Sequence, residues 1–282
     1  EKNFLLIVPE QFSMQTQKDI VELHPRHGVM NIDILSFGRL SYRVLSEVGA
    51  AQLPVLDDTG KNLLLRKVLE NKKEELKLYG QKRHTPGMVS EIKSVVSEFY
   101  QYGIREEEQE KMLACAKKKP MLYAKLSDMQ VIIQEFERFT KEHYITKEEQ
   151  LDVLCRVIPE SNMVKRSSVW LDGFTGFTPI QYQLIGLLLM LSPKVTLTVT
   201  IDARENPYRI GGEQELFHMS KEMISHLIRL AEERQIPKEK DIVLTGEEHH
   251  RFRQAEALFW LERNLFRYPY LAYKKRQEAV SI

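Results

Sequence analysis

Cysteine is scarce in this chain. The only two, Cys115 and Cys155, lie far apart and neither sits in a CxxC pair. A disulfide scaffold, a four-thiolate zinc site and a four-cysteine iron–sulfur cluster are therefore excluded within these residues, and a reducing, cytoplasmic setting fits best. An excess of either charge is also missing: Lys+Arg 41 against Asp+Glu 40 leaves a formal net charge of +1. With no global basic field, any nucleic-acid role must rest on a local patch. Apolar runs are short, the longest candidate being residues 184–191. A membrane helix needs roughly 18 such residues, so no membrane span is expected. Residues 4–8 form an apolar block that ends in Pro9-Glu10 with no small-residue cleavage site, unlike a signal peptide. The chain enters this block almost at once, and a further segment is expected upstream.

What is present is a chain of 282 residues, 43% hydrophobic, enough for one large core or two modest ones. Four short apolar runs read as strands, at residues 3–8, 31–35, 169–172 and 195–201. The first is continuously apolar after Asn3, as expected of a strand covered on both faces. A candidate helix separates the first two runs. Another separates the last two, where Thr178-Pro179-Ile180-Gln181 supplies an N-cap, a proline at the first helical position and a capping-box glutamine. Strands alternating with helices predict an α/β fold with a parallel sheet.

Between the strand pairs, residues 56–159 read as nearly all helix. Thr85-Pro86 opens a helix with the stripe Val89, Ile92, Val96, Phe99 and a stop at Gly103. A second stripe runs through Leu122, Leu126, Met129, Ile133, Phe136 and Phe139. A capping box at Thr146 to Glu149 leads into Leu151, Leu154 and Ile158. These stripes predict core rather than a cofactor box. The resulting division is a discontinuous α/β domain, residues 1–55 and 160–282, with a helical subdomain inserted at 56–159. Beyond the last strand, helices are expected at residues 213–233 and 252–266. His249-His250 falls in the turn between them, and adjacent histidines with no third ligand nearby predict a solvated turn rather than a metal pair. The end of the chain, residues 279–282, reads as the start of another strand.

In an open parallel sheet, ligands bind beyond the carboxyl ends of the strands. The first such loop, Pro9-Glu10-Gln11-Phe12-Ser13-Met14-Gln15-Thr16-Gln17, concentrates amides and hydroxyls. They suit hydrogen bonds to neutral polar groups such as base edges. The simpler account is an N-cap at Ser13 followed by a solvated helical turn. In the second loop, Ser36 is a good N-cap, Phe37, Leu40, Val44 and Val48 share one helical face, and Arg39, Tyr42 and Arg43 share another. Cations beside an aromatic at a helix start suit phosphate contact and base stacking. A plain surface face explains them equally well. The third loop, Leu171-Asp172-Gly173-Phe174-Thr175-Gly176-Phe177-Thr178-Pro179, places an acid at a strand end, where nucleotide-binding proteins keep a magnesium-directing carboxylate. The fourth, Asp202-Ala203-Arg204, is a weaker signal.

Taken in order and spacing, three blocks resemble the AddB family of RexB-like helicase/nuclease subunits: residues 8–17, then Ser36-Phe37-Gly38-Arg39-Leu40, then residues 171–179. That family is similar to superfamily 1 helicases, so the resemblance implies a degenerate P-loop-type helicase-like domain carrying a helical insertion. It implies a subunit that pairs with an AddA-type helicase-nuclease subunit in double-strand break processing. It also implies a surface that binds single-stranded DNA and scans for a recombination hotspot. The candidate contacts it assigns are Gln11, Ser13, Phe37, Arg39 and Tyr42, with Phe174 and Phe177 as further additions. Tyr42 stands where related sequences often carry tryptophan. Asp172 corresponds to a nucleotide and magnesium remnant.

Departures from a working helicase are explicit. No GxxxxGK[ST] loop occurs in residues 1–282. The helicase Asp-Glu pair reads Asp172-Gly173, so the base is lost, and Asp202-Ala203-Arg204-Glu205 offers no glutamine for the γ-phosphate. This chain alone is expected to be catalytically inactive and to carry no cofactor. In the family, ATP, magnesium and iron–sulfur binding belong to regions outside these residues. Two alternatives remain: an architectural domain that docks AddA, through the helical insertion and the last helix, or a nucleotide-dependent motor domain.

Overall fold

A computed structural model describes residues 3–49, 54–80, 85–140, 144–202, 204–244 and most of 252–276. Four strands, β1 (Asn3–Ile7), β2 (Ile32–Leu35), β3 (Ser167–Leu171) and β4 (Val195–Leu197), form one all-parallel sheet in the order β2-β1-β3-β4. The continuously apolar run of β1 lies between two strand neighbours, but only one of its faces is fully buried, Phe4 and Leu6 on the other being half-buried. Each strand is a residue or more different from its expected length. β4 stops at Leu197 because its partner β3 ends at Leu171, and one further backbone bond, Thr198 N–H to Leu171 O at 2.9 Å, closes the ladder.

The helices are α1 (Ser13–Leu23), α2 (Phe37–Glu47), α3 (Asp58–Asn71), α4 (Pro86–Gln101), α5 (Glu106–Ala116), α6 (Pro120–Thr140), α7 (Lys147–Val157), α8 (Asn162–Arg166), α9 (Pro179–Leu191), α10 (His218–Glu233) and α11 (Glu256–Asn264). In a parallel ladder, register partners point to the same face. Leu5, Ile7, Leu35, Val169 and Leu171 therefore share one face, and they form a core with Leu40 and Val44 of α2, Leu154 of α7 and Leu184, Ile185 and Leu188 of α9. The opposite face is more open: Phe4, Leu6 and Ile34 are half-buried and Trp170 is 41% exposed.

A second core gathers Leu65, Val68 and Leu69 of α3, Val89, Ile92 and Val96 of α4, and Met129, Ile132, Ile133 and Phe136 of α6. The stripe expected on α4 is this core's contribution, and Gly103, at φ 65°, ends the helix where the sequence places the stop. On α6 the stripe is buried from Met129 to Phe136, Phe139 is half-buried and Leu122 is exposed. The helical stretch divides in its packing. Leu154 and Cys155 of α7, with Ile158 just after it, join the sheet's core rather than the helical one.

Local signals account for most helix ends. Glu149 accepts from Thr146 N–H at 2.7 Å while Thr146 Oγ1 accepts from Glu149 N–H at 3.2 Å. Gln181 accepts from Thr178 N–H at 2.9 Å. The helix expected from residue 213 begins at His218 instead. Residues 212–218 fold as single turns, and Lys221 Nζ holds the carboxylates of Glu215 and Glu205 at 2.8 and 2.7 Å. The helix expected at 252–266 is α11, shorter at both ends. His249-His250 and the strand expected at 279–282 lie outside the described residues. Among the described residues, no helix is long and apolar enough to cross a membrane.

Candidate nucleic-acid interface

The strand order reverses between β1 and β3: β1 leads outward to β2, and β3 leads the other way to β4. A crevice opens at such a reversal beyond the carboxyl ends of the strands. The loops after β1, β2 and β3 meet there.

After β1 the chain makes a 3-10 turn, Glu10–Phe12, closed by Phe12 N–H to Pro9 O at 2.9 Å. Gln11 is exposed on this turn. Ser13 differs from expectation: it is buried at 4%, and its hydroxyl donates back to Glu10 O at 2.9 Å. It therefore neither caps α1, whose N-cap is Phe12, nor offers its hydroxyl to a ligand.

After β2, Ser36 caps α2 as the sequence indicates, its Oγ accepting from Arg39 N–H at 3.3 Å. Arg39 and Tyr42 are exposed, Tyr42 at 60%. Arg43, which shares their face, is paired with Asp33 at 2.7 Å. One contact joins the two loops: Ser36 Oγ–H donates to Glu10 Oε2 at 2.9 Å. It brings the turn bearing Gln11 against the helix start bearing Arg39. The sequence shows Glu10 only as the last acid before a run of amides, and nothing in its spacing identifies this role.

Phe37 is placed otherwise than a base-stacking residue needs. It is 7% exposed, belongs to the core with Leu40 and Val44, and its ring centroid lies 5.4 Å from that of Phe174 and 6.3 Å from that of Phe177. Helical periodicity decides this, because Phe37 falls on the apolar stripe of α2. Phe174 and Phe177, 4.9 Å apart, are half-buried. The ring chain continues through Tyr182, 5.5 Å from Phe177, to His226 a further 5.0 Å away. Burial first, and the Glu222 carboxylate second, push the Tyr182 phenol above its ordinary value, so it stays neutral.

Asp172 is half-buried, its backbone N–H donates to Ile7 O at 3.0 Å, and its carboxylate accepts from the Thr198 hydroxyl. A magnesium ion takes one or two carboxylates and completes its octahedron with water and phosphate oxygens. Asp172 offers one carboxylate at the strand end, bonded to the Thr198 hydroxyl, and the neighbouring position is Gly173 rather than a second acid. Gly173 sits at φ 78°, and a Cβ there would lie 3.5 Å from Pro9 Cδ and 4.0 Å from Phe12 Cδ2. Of the two cysteines, Cys115 is exposed and Cys155 is buried in the sheet's core. No three His, Cys, Asp or Glu residues gather as a metal site among the described residues.

The family described as ADDB, N-terminal, matches residues 1–262. A protein of Lachnoclostridium phytofermentans, named as a subunit of an ATP-dependent helicase/deoxyribonuclease, is 44% identical over 282 residues, 99% of this chain and 24% of its own length. Proteins of the same name from Clostridium novyi and Clostridium kluyveri are 31% and 32% identical, each over 100% of this chain and 24% of the relative. The chain thus spans about a quarter of the length of the relatives it matches. By this match over most of its length, the chain belongs to the AddB family and corresponds to its N-terminal part.

Proposed function

We propose that this chain is the non-catalytic, helicase-like part of an AddB protein, which binds single-stranded DNA and scans it for a recombination-hotspot sequence during double-strand break repair. On this reading the four-stranded unit is a degenerate superfamily 1 helicase domain, residues 56–159 are its inserted helical subdomain, and an AddA-type subunit is the partner. The observation that supports it is the Glu10–Ser36 hydrogen bond, which joins the turn bearing the exposed amide Gln11 to the start of the helix that bears an exposed cation and aromatic, Arg39 and Tyr42. An amide reads adenine edges without charge, a guanidinium grips guanine or phosphate, and a phenol ring stacks on any base. Phe174 and Phe177, half-buried against the buried Phe37 ring, offer further apolar surface. Ser13 supports the turn from within.

The test uses the complete two-subunit complex. Gln11→Ala is expected to weaken the response to the hotspot by about tenfold, while unwinding and the salt dependence of DNA binding stay the same. Arg39→Ala weakens both, and lowers the salt slope by about one if its contact is to phosphate. If both variants remain folded and respond normally to the hotspot, the surface does not read DNA. A purely architectural domain, docked on AddA, then becomes the better account.

A further inference from the structure

We infer that Glu10 is a positioning residue for the recognition surface, a latch that fixes the Gln11 turn against the start of α2. The inference rests on the nucleic-acid reading above. Three polar groups form a chain across two separate loops: Arg39 N–H donates to Ser36 Oγ at 3.3 Å, and Ser36 Oγ–H donates to Glu10 Oε2 at 2.9 Å. Ser36 is 3% exposed, so its hydroxyl has little water to turn to. A charged acceptor strengthens the second bond, and a hydroxyl that donates strongly also accepts better, which tightens the cap on Arg39. The carboxylate lies over the glycine of the same turn, where a Cβ on Gly38 would sit 3.6 Å from Glu10 Oε2. From below, Val8 N–H donates to Leu35 O at 2.9 Å, holding the two strand ends in register. Gln11 follows Glu10 directly, so the same latch fixes its backbone.

A carboxylate is otherwise a poor choice for a surface that meets nucleic acid, because it repels phosphate. Its presence at this point is explained if alignment matters more than general affinity. The charge also keeps phosphates away from the Gln11 turn, which leaves that turn to base edges. These two effects separate experimentally, because glutamine keeps the acceptor and removes the charge, whereas alanine removes both.

The experiment uses the full-length protein with its partner, an oligonucleotide with and without the hotspot, and amide hydrogen exchange at Arg39. For Glu10→Ala, Arg39 exchange is expected to quicken, the hotspot response to fall about tenfold, and general single-strand affinity to rise a few-fold. Glu10→Gln should show the same gain in general affinity while keeping most of the hotspot response. Ser36→Ala should resemble Glu10→Ala in recognition, and the double variant should be no worse than either alone. A general loss of stability cannot raise affinity while lowering recognition. If Glu10→Ala leaves both Arg39 exchange and the hotspot response unchanged while Gln11→Ala abolishes that response, the latch is wrong and the recognition surface stands. If Arg39 exchange quickens but neither Gln11→Ala nor Arg39→Ala alters the response, the nucleic-acid reading fails and the positioning role falls with it.

Discussion

The rings of Phe37 and Phe174 lie 5.4 Å apart, tilted at 43°, and join the helix after β2 to the loop after β3. Tilted aromatic pairs at this separation are attractive beyond the area they bury. Phe37 therefore acts as packing between two loops of the candidate site rather than as an open platform for a base. Phe37→Ala is expected to lower stability by about 3 kcal/mol, as other fully packed phenylalanines do on truncation. Hotspot response, partner binding and melting temperature should decline together. Phe37→Leu, which keeps most of the volume, should recover most of each. Normal melting with a selective loss of recognition would instead return Phe37 to the DNA-contacting set.

How much of this was legible in the sequence depends on the range of the interaction. The parallel α/β arrangement follows from four apolar runs separated by helical periods, and the ends of α4, α7 and α9 follow from Thr85-Pro86, the Thr146 box and the Thr178 box. These are local signals, carried within a few residues. The joining of α7 to the sheet's core was not legible, since an amphipathic stripe does not say which neighbour it meets. At the site, Ser36 as a cap and the exposure of Gln11, Arg39 and Tyr42 agree with short-range spacing. The inward turn of Ser13 and the Glu10–Ser36 bond, 26 residues apart in sequence, need the sheet to bring the loops together.

Asp128 gives a second test of the helical core. It is 1% exposed, and its carboxylate accepts from the backbone N–H groups of Lys77, Leu78 and Tyr79 at 2.8, 2.7 and 3.0 Å. One side chain on α6 thus supplies acceptors for an irregular segment that otherwise lacks a ladder. Asp128→Ala leaves three donors without that acceptor and is expected to cost about 3 kcal/mol. Asp128→Asn keeps one carbonyl oxygen and should cost roughly half as much. The measurements are the urea midpoint and the rate of proteolysis near residues 77–79. An unchanged rate in Asp128→Ala would mean that the segment is held by other contacts.

The two cysteines should differ sharply in reactivity. Burial pushes the Cys155 thiol up to about 11, while Cys115 is exposed. At about pH 8, iodoacetamide should label Cys115 in the native protein and reach Cys155 only after denaturation. Because the folded state holds the Cys155 proton more tightly than the unfolded state does, the stability it contributes is fully present below the ordinary thiol value of 9.0. It should be lost progressively as pH rises from there to about 11. Comparing the alkaline stability of the wild type with that of Cys155→Ala isolates this term. Equal pH dependence in the two proteins would show that Cys155 is not buried as described.

Gly173 follows the strand-end acid Asp172. At φ 78° it occupies a region that side chains disfavour, and its turn packs on Pro9 and Phe12 beside the Gln11 turn. On the helicase-like reading proposed above, a working motor would carry an acid at this position, and an acid here would have to adopt a strained backbone. Gly173→Ala is expected to cost about 1–2 kcal/mol from the conformation alone. Gly173→Glu should cost a similar amount, because position 173 is exposed and a Cβ there would make only ordinary contact with Pro9 and Phe12. Neither variant should release phosphate from ATP with magnesium, because residues 1–282 contain no lysine-bearing phosphate loop. The assay is phosphate release by this chain and by Gly173→Glu, each beside its Asp172→Asn counterpart. Magnesium-dependent turnover that appears with Gly173→Glu and disappears with Asp172→Asn would show that a catalytic centre survives at this strand end. The description of this unit as non-catalytic would then be wrong.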